Sequence, residues 1–229
     1  MGQFFTPLKV VEQMNRMFEL KPGMDICDPA CGVGKFLLEA VLPDIDNLFR
    51  YENGELKAAV NLFGFDKYSE DNSDRTIILA KANMLIYLSK IITENPSPSS
   101  TKKIAELFNK SFTLKKSNLG TLEELEENKY DLILTNPPYV VNGSGDIKAI
   151  ANRTGYYKCN GLGLEALFLE WIIKSLKEGG TALIVIPDGI LSNMANRKLR
   201  EYILDRCCIE GIISLPINTF LEHPRKPIF

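Results

Sequence analysis

The segment Tyr130–Tyr139 constrains the chain more than any other, because an apolar run, Leu132-Ile133-Leu134, closes in Asn136-Pro137-Pro138-Tyr139. A run of this length suits a strand buried on both faces of a parallel sheet. Two successive prolines must end it, since neither has an N–H to give the ladder. A residue before proline is pushed toward extended geometry, which predicts Asn136 held rigidly at the strand's carboxyl end. In open α/β sheets that edge binds ligands. An amide, two stiff proline carbonyls and an aromatic ring then form a group of acceptors beside a stacking platform, suited to a flat, amino-bearing group. Taken alone, the tetrapeptide is also an ordinary strand ending in a proline turn.

Further strands are expected at Met24–Cys27, Asn61–Asp66, Phe112–Asn118, Thr181–Pro187 and Ile209–Leu215. Helices are expected after Pro7 with Thr6 as cap, after Gly34, from Ser69 to about Lys90, over Leu164–Lys177 and over Ser192–Asp205. Gly179-Gly180 would end the Leu164 helix. Alternation of strand and helix predicts an α/β fold: a doubly wound, mostly parallel sheet with helices on both faces. Val10, Val11, Met14, Met17 and Phe18 recur at helical spacing and are assigned to the core, as are Ile77, Ile78, Ala80, Leu85, Ile86 and Leu88. Residues 43–59 read as a polar connection. Asn142–Asp146 reads as a glycine-rich loop near Lys148, Arg153 and Lys158, suited to closing over a substrate or touching phosphates.

Two acids stand at expected strand ends. Asp28 opens Asp28-Pro29-Ala30-Cys31-Gly32-Val33-Gly34, and Asp66 ends the next strand, where a carboxylate can accept from ribose hydroxyls. Gly32 and Gly34 let backbone approach a ligand. An acid beside a helix N-terminus suits an amino-acid zwitterion better than a pyrophosphate, and the G-x-G-x-x-G spacing of dinucleotide binders is missing. Asp66 taken alone is equally a turn or cap residue.

With 229 residues, 45% of them hydrophobic, the chain can bury one full core. A net charge of −2 gives no global footprint for nucleic acid, so any DNA-binding surface is local or supplied by a partner. Five cysteines without paired spacing fit reduced thiols, and a single histidine argues against His-based triads and metal sites. No metal is expected. No signal peptide or membrane-length apolar run is evident, which makes the cytoplasm the expected location and leaves no membrane partner.

In order and content these parts resemble the N6-adenine DNA methyltransferases of the gamma arrangement, in particular the modification (M) subunits of type I restriction–modification systems. Gly2-Gln3-Phe4-Phe5-Thr6-Pro7 is similar to that family's cofactor motif, Asp28–Ala40 to its glycine motif, and Asn136–Tyr139 to its catalytic motif. Glu165–Phe168, Gly179–Leu191 and Leu215–Phe220 also resemble later elements of the family. The resemblance implies a Rossmann-like fold and S-adenosyl-L-methionine as cofactor. It places Phe5 and Thr6 at the cofactor's methionine end, with Gln3, Phe4 and Pro7 also in the cofactor site, Asp28 at its amino group, Ala30, Gly32 and Gly34 along it, and Asp66 at its ribose. Asn118 falls where the family often has an aspartate against the cofactor's adenine, and Asn136 borders the same pocket.

The implied reaction is methyl transfer to N6 of an adenine flipped out of double-stranded DNA. Asn136 and Pro137 would accept from N6–H, with Pro138 holding their geometry and Tyr139 stacking on the base. The resemblance further implies one catalytic domain over residues 1–229, without the family's N-terminal helical region or target-recognition domain. DNA recognition would come from a specificity (S) subunit, with a restriction subunit as a further partner. A protein glutamine N5-methyltransferase and an RNA-base methyltransferase use the same amide-to-amino logic and stay open, as does a cofactor-binding subunit inactive alone.

Overall fold

A computed structural model describes residues 6–53, 55–67, 73–94, 98–117, 119–139, 144–159, 161, 163–216 and 219–220. Helix α1 (Leu8–Met14) precedes strand β1 (Asp25–Asp28), and α2 (Lys35–Val41) and α3 (Ile45–Leu48) follow. Strands β2 (Phe49–Glu52) and β3 (Glu55–Ala58) pair as an antiparallel hairpin before β4 (Asn61–Lys67). Helices α4 (Ser73–Tyr87), α5 (Ser89–Thr93) and α6 (Pro98–Ser111) lead to β5 (Phe112–Lys115) and β6 (Tyr130–Thr135). Then come α7 (Ser144–Arg153), α8 (Gly163–Ser175), β7 (Leu176–Ile184), α9 (Gly189–Ser192) and α10 (Arg197–Arg206).

Five strands form one sheet in the order β5-β4-β1-β6-β7, every neighbouring pair parallel. The chain winds outward from β1 through β4 to β5, then returns to β6 on β1's other side. The switch point lies between β1 and β6 and opens a crevice at their carboxyl ends. Successive strand residues face opposite layers. Ile26, Leu62, Leu132 and Leu134 pack under α1, α2, α4 and α6, whereas Cys27, Phe65 and Ile133 pack under α7 and α8, joined by Tyr130, which departs from the alternation at the β6–β7 register shift. A second contact layer joins Ala166 and Leu169 of α8 to Ile190 and Leu199. Helix α8 is therefore buried nearly all round, with Glu165 and Glu170 among its buried residues.

Several boundaries differ from the sequence-based reading. Ile77, Ala80 and Leu88 are buried, but Ile78, Leu85 and Ile86 are exposed, because the buried face of α4 is the 77–80–84 row. Val11 and Met14 are buried, whereas Met17 lies past the end of α1 and is exposed. The 43–59 connection contains the β2–β3 hairpin. Ser144–Asp146 start α7 instead of a loop, and residues 140–143 fall outside the described set. The third strand stops at Lys115.

Gly179 and Gly180 do not terminate a helix: they lie inside β7, at a register shift opposite Tyr130–Leu132. A Cβ on Gly180 would sit 2.9–3.2 Å from the carbonyl oxygens of Lys177, Tyr130 and Asp131, so only glycine lets the strand bulge against β6. The expected strand Ile209–Leu215 does not form. No neighbouring strand supplies a ladder to it among the described residues, and Ile209, Ile212 and Ile213 face solvent.

Candidate active site

Asp28, Asp66 and Asn136 sit at or just past the carboxyl ends of β1, β4 and β6, three adjacent strands. The loop after β1 is held from two sides. Cys31 N–H donates to Phe65 O at 2.8 Å, and Asn83 Nδ2 donates to Val33 O at 3.0 Å. The buried Thr121 hydroxyl donates to Pro29 O at 2.7 Å, tying the turn after β5 to the same tip. Gly32 has φ +52° with open space where a Cβ would point. Gly34 has φ +79°, but its missing side chain faces the ring of Phe112 instead of the crevice.

Asp28 is fully buried. Its Oδ1 accepts from Ala30 N–H at 3.1 Å, and Oδ2 has no hydrogen-bond donor among the described residues. Burial, reinforced by the charge of Asp66, raises its pKa to about 7. The Thr135 hydroxyl is near enough to favour the charged form, yet falls short of hydrogen-bond geometry. Asp66 is raised too, by burial, against a bond from Lys67 N–H to its Oδ1 at 2.8 Å. A buried carboxylate oxygen lacking a donor is costly unless a ligand supplies one, and an ammonium would.

Thr6 is buried, and its Oγ1 accepts from Asn136 Nδ2 at 3.0 Å, linking the two ends of the site across 130 residues. It is not the cap of α1: Pro7 takes the N-cap position, with no side-chain cap bond. The Tyr139 hydroxyl makes a short hydrogen bond to Asn136 Oδ1 and lies 3.0 Å from Val185 O. Burial, then the charge of Glu165, hold the Tyr139 pKa above the ordinary tyrosine value, so it is a neutral donor. Pro137 is buried and Pro138 exposed. Gln3, Phe4, Phe5 and Asn118, also assigned to the cofactor pocket from sequence, lie outside the described residues. Ala30 is half-buried beside Asp28.

Sequence reasoning gave no role in the site to Thr135, Val185 or Glu165. Glu165 is buried in the first turn of α8, folded back over Gly163, with Oε2 lacking a donor among the described residues. An acid in a largely apolar helix was its available signal, one it shares with Glu170. Val185 acts through its backbone carbonyl, which leaves no trace in residue identity. Among the described residues no cluster of His, Cys, Asp or Glu could hold a metal, and no helix is long and apolar enough to cross a membrane.

Residues 1–226 match the model of a family described as N-6 DNA Methylase. The type I restriction enzyme EcoEI methylase subunit of Escherichia coli is 26% identical over 96% of this chain. The chain spans 39% of that relative's length. Among solved structures, the methyltransferase subunit of a type I restriction-modification system from Streptococcus thermophilus has a TM-score of 0.59 at 23% identity, covering 89% of this chain and 39% of its own. A protein described as a class I S-adenosylmethionine-dependent methyltransferase, from Listeria monocytogenes, has a TM-score of 0.60 at 20% identity, covering 95% and 57%. At these identities the structural likeness establishes the fold.

Proposed function

The chain belongs to the N-6 DNA methylase family, and from that premise we propose that it transfers a methyl group from S-adenosyl-L-methionine to N6 of an adenine in DNA. The observation that carries the proposal is the Thr6–Asn136 bond, because it joins the N-terminal element to the amide motif at the sheet's switch point. The residues fit the cofactor. Asp28 offers a buried oxygen with no donor among the described residues, suited to an ammonium, Gly32 leaves room beside it, and Asp66 stands at the next strand end for a diol. When bound, the cofactor supplies an electrophilic methyl group on a sulfonium.

The protein's part is positioning. Adenine N6 is a poor nucleophile because its lone pair is delocalised into the ring. Acceptance of its two N–H bonds by Asn136 Oδ1 and the Pro137 carbonyl favours a pyramidal nitrogen with its lone pair free. A neutral amide does this without burying a bare carboxylate beside the base. The Tyr139 ring offers a stack worth roughly 1–3 kcal/mol, comparable with the cost of extracting the base. The net charge of −2 favours DNA held jointly with a specificity subunit, with a restriction subunit as a further partner of the whole assembly. We assign the reaction to the cytoplasm.

Calorimetric titration with S-adenosyl-L-methionine tests the reading. Saturable binding should be lost in Asp66→Ala and largely kept in Asn136→Ala. Absence of binding to the folded wild-type chain would overturn the cofactor assignment.

A further inference from the structure

The Tyr139 hydroxyl carries one proton and faces two oxygens that can only accept, Asn136 Oδ1 and Val185 O. The second acceptor exists because of the proline motif. Val185 N–H donates to Thr135 O at 3.0 Å, extending the β6–β7 ladder one residue past β7. In a parallel ladder, the next bond would run from the N–H of residue 137 to the carbonyl of Val185. Residue 137 is a proline and has no N–H. Pro137 thereby takes the ladder donor from Val185 O, and the Tyr139 hydroxyl stands in its place.

Asn136 Oδ1 is the atom that accepts from the substrate amino group under the function proposed above, and the present inference rests on that reading. In the free protein the same oxygen already accepts from Tyr139. We propose that the Tyr139 hydroxyl is an internal stand-in for the substrate amino group, engaging Asn136 in the free enzyme and turning its proton to Val185 O when the base enters. No covalent bond changes: the proton stays on the tyrosine oxygen, and rotation about the C–O bond, with a small ring adjustment, redirects it. Neither the amide oxygen nor the hydroxyl is stranded at either stage, which matters because a buried polar group without a partner is expensive. Burial, then the charge of Glu165, keep the hydroxyl protonated and thus able to donate throughout.

One consequence separates this role from simple stacking. When an amino group replaces the tyrosine donor on Asn136, the hydroxyl gives up its short bond to the amide for the longer one to Val185 O, so part of what the 6-amino group adds to base affinity is spent on that exchange. Removing the hydroxyl removes that cost.

The test measures binding of two single-stranded oligonucleotides in the presence of S-adenosylhomocysteine, one carrying a single adenine and the other purine, which lacks the 6-amino group, at that position. Wild type, Tyr139→Phe and Asn136→Ala are compared. Tyr139→Phe keeps the ring and its stack, so affinity for the purine strand is a control for folding and stacking. The preference for adenine over purine should rise in Tyr139→Phe, by up to about fivefold, the ratio one ordinary hydrogen bond supplies, and fall in Asn136→Ala, where the Pro137 carbonyl is left as acceptor. An unchanged or reduced preference in Tyr139→Phe, with Asn136→Ala still lowering it, would overturn the stand-in role alone. Equal binding of both strands by all three proteins would overturn the base-binding reading beneath it.

Discussion

The ring of Phe112 fills the space into which a side chain on Gly34 would project, with its edge carbons 2.8 Å from where that Cβ would sit. Gly64 meets the same ring from β4, at 2.6 Å. The second glycine of the Asp28–Gly34 loop is thus a packing requirement of the β5 end of the sheet. The first, Gly32, faces open space. The two glycines, equivalent in sequence, do different work.

That difference predicts opposite phenotypes. Gly34→Ala combines positive φ with a clash against a buried ring, and should cost about 2–4 kcal/mol, combining backbone strain with overpacking. Thermal unfolding would register it as a large fall in Tm. Gly32→Ala should cost only about 1 kcal/mol, from backbone strain, while weakening cofactor binding at least tenfold. Equal loss of stability in both variants would remove the distinction.

Trp171 is fully buried on α8, donates from Nε1 to Glu124 O at 2.7 Å, and lies 5.9 Å from the Tyr130 ring. Trp171→Ala should destabilise by about 3–5 kcal/mol. Trp171→Phe retains most of the packing and should lose about 1–3 kcal/mol, the cost of leaving the Glu124 carbonyl without its donor. Denaturant titration checks both, and similar losses in the two would show that the hydrogen bond, not volume, sets the cost.

How much of this was legible beforehand follows from which forces leave a mark in residue identity. The parallel sheet was legible, because strands buried on both faces need uninterrupted apolar runs such as Leu132–Leu134. The positions of Asp28, Asp66 and Asn136 followed from those strands. The β7 bulge was not, since Gly179-Gly180 suits a helix stop as well as a close approach to β6 backbone. Nor was Ile209–Leu215, whose composition favours a strand while pairing depends on a neighbour outside its own sequence. The outward side of α4 misled for a related reason: Ile78, Leu85 and Ile86 are as apolar as the buried row. The Val185 carbonyl was invisible, because backbone acceptors have no residue signature.

Thr6→Val removes the oxygen that accepts from Asn136 Nδ2 while keeping the side chain's shape. The amide should lose part of its orientation. Methyl transfer to DNA should fall about fivefold, as expected for one lost hydrogen bond of about 1 kcal/mol. Thr6→Ser should restore it, and cofactor affinity should change less than turnover. A variant with normal turnover would show that Asn136 is held by its other contacts.

Asp28 predicts how the protein responds to pH. Its pKa rises from an ordinary 3.8 to about 7 in the fold, through burial and the charge of Asp66. Between those values the native state holds a proton that the unfolded chain has released, so stability of the free protein falls as pH rises. The loss from pH 4 to above pH 7 amounts to roughly 4 kcal/mol at 1.36 kcal/mol per unit. Asp66 and Glu165, also raised by burial, act in the same direction. Cofactor binding has the opposite sign, because an ammonium needs the charged carboxylate, so affinity should strengthen up to tenfold per pH unit below 7 and level off above it. Unfolding scans with and without S-adenosyl-L-methionine, from pH 5 to 8, should show the two curves separating as pH rises. Asp28→Asn should flatten the free-protein profile, raise its Tm at pH 8 and abolish the ligand-induced gain. If the wild-type free protein is instead most stable at pH 8, Asp28 is already satisfied in the fold, and an ammonium group has no vacant acceptor to bind there.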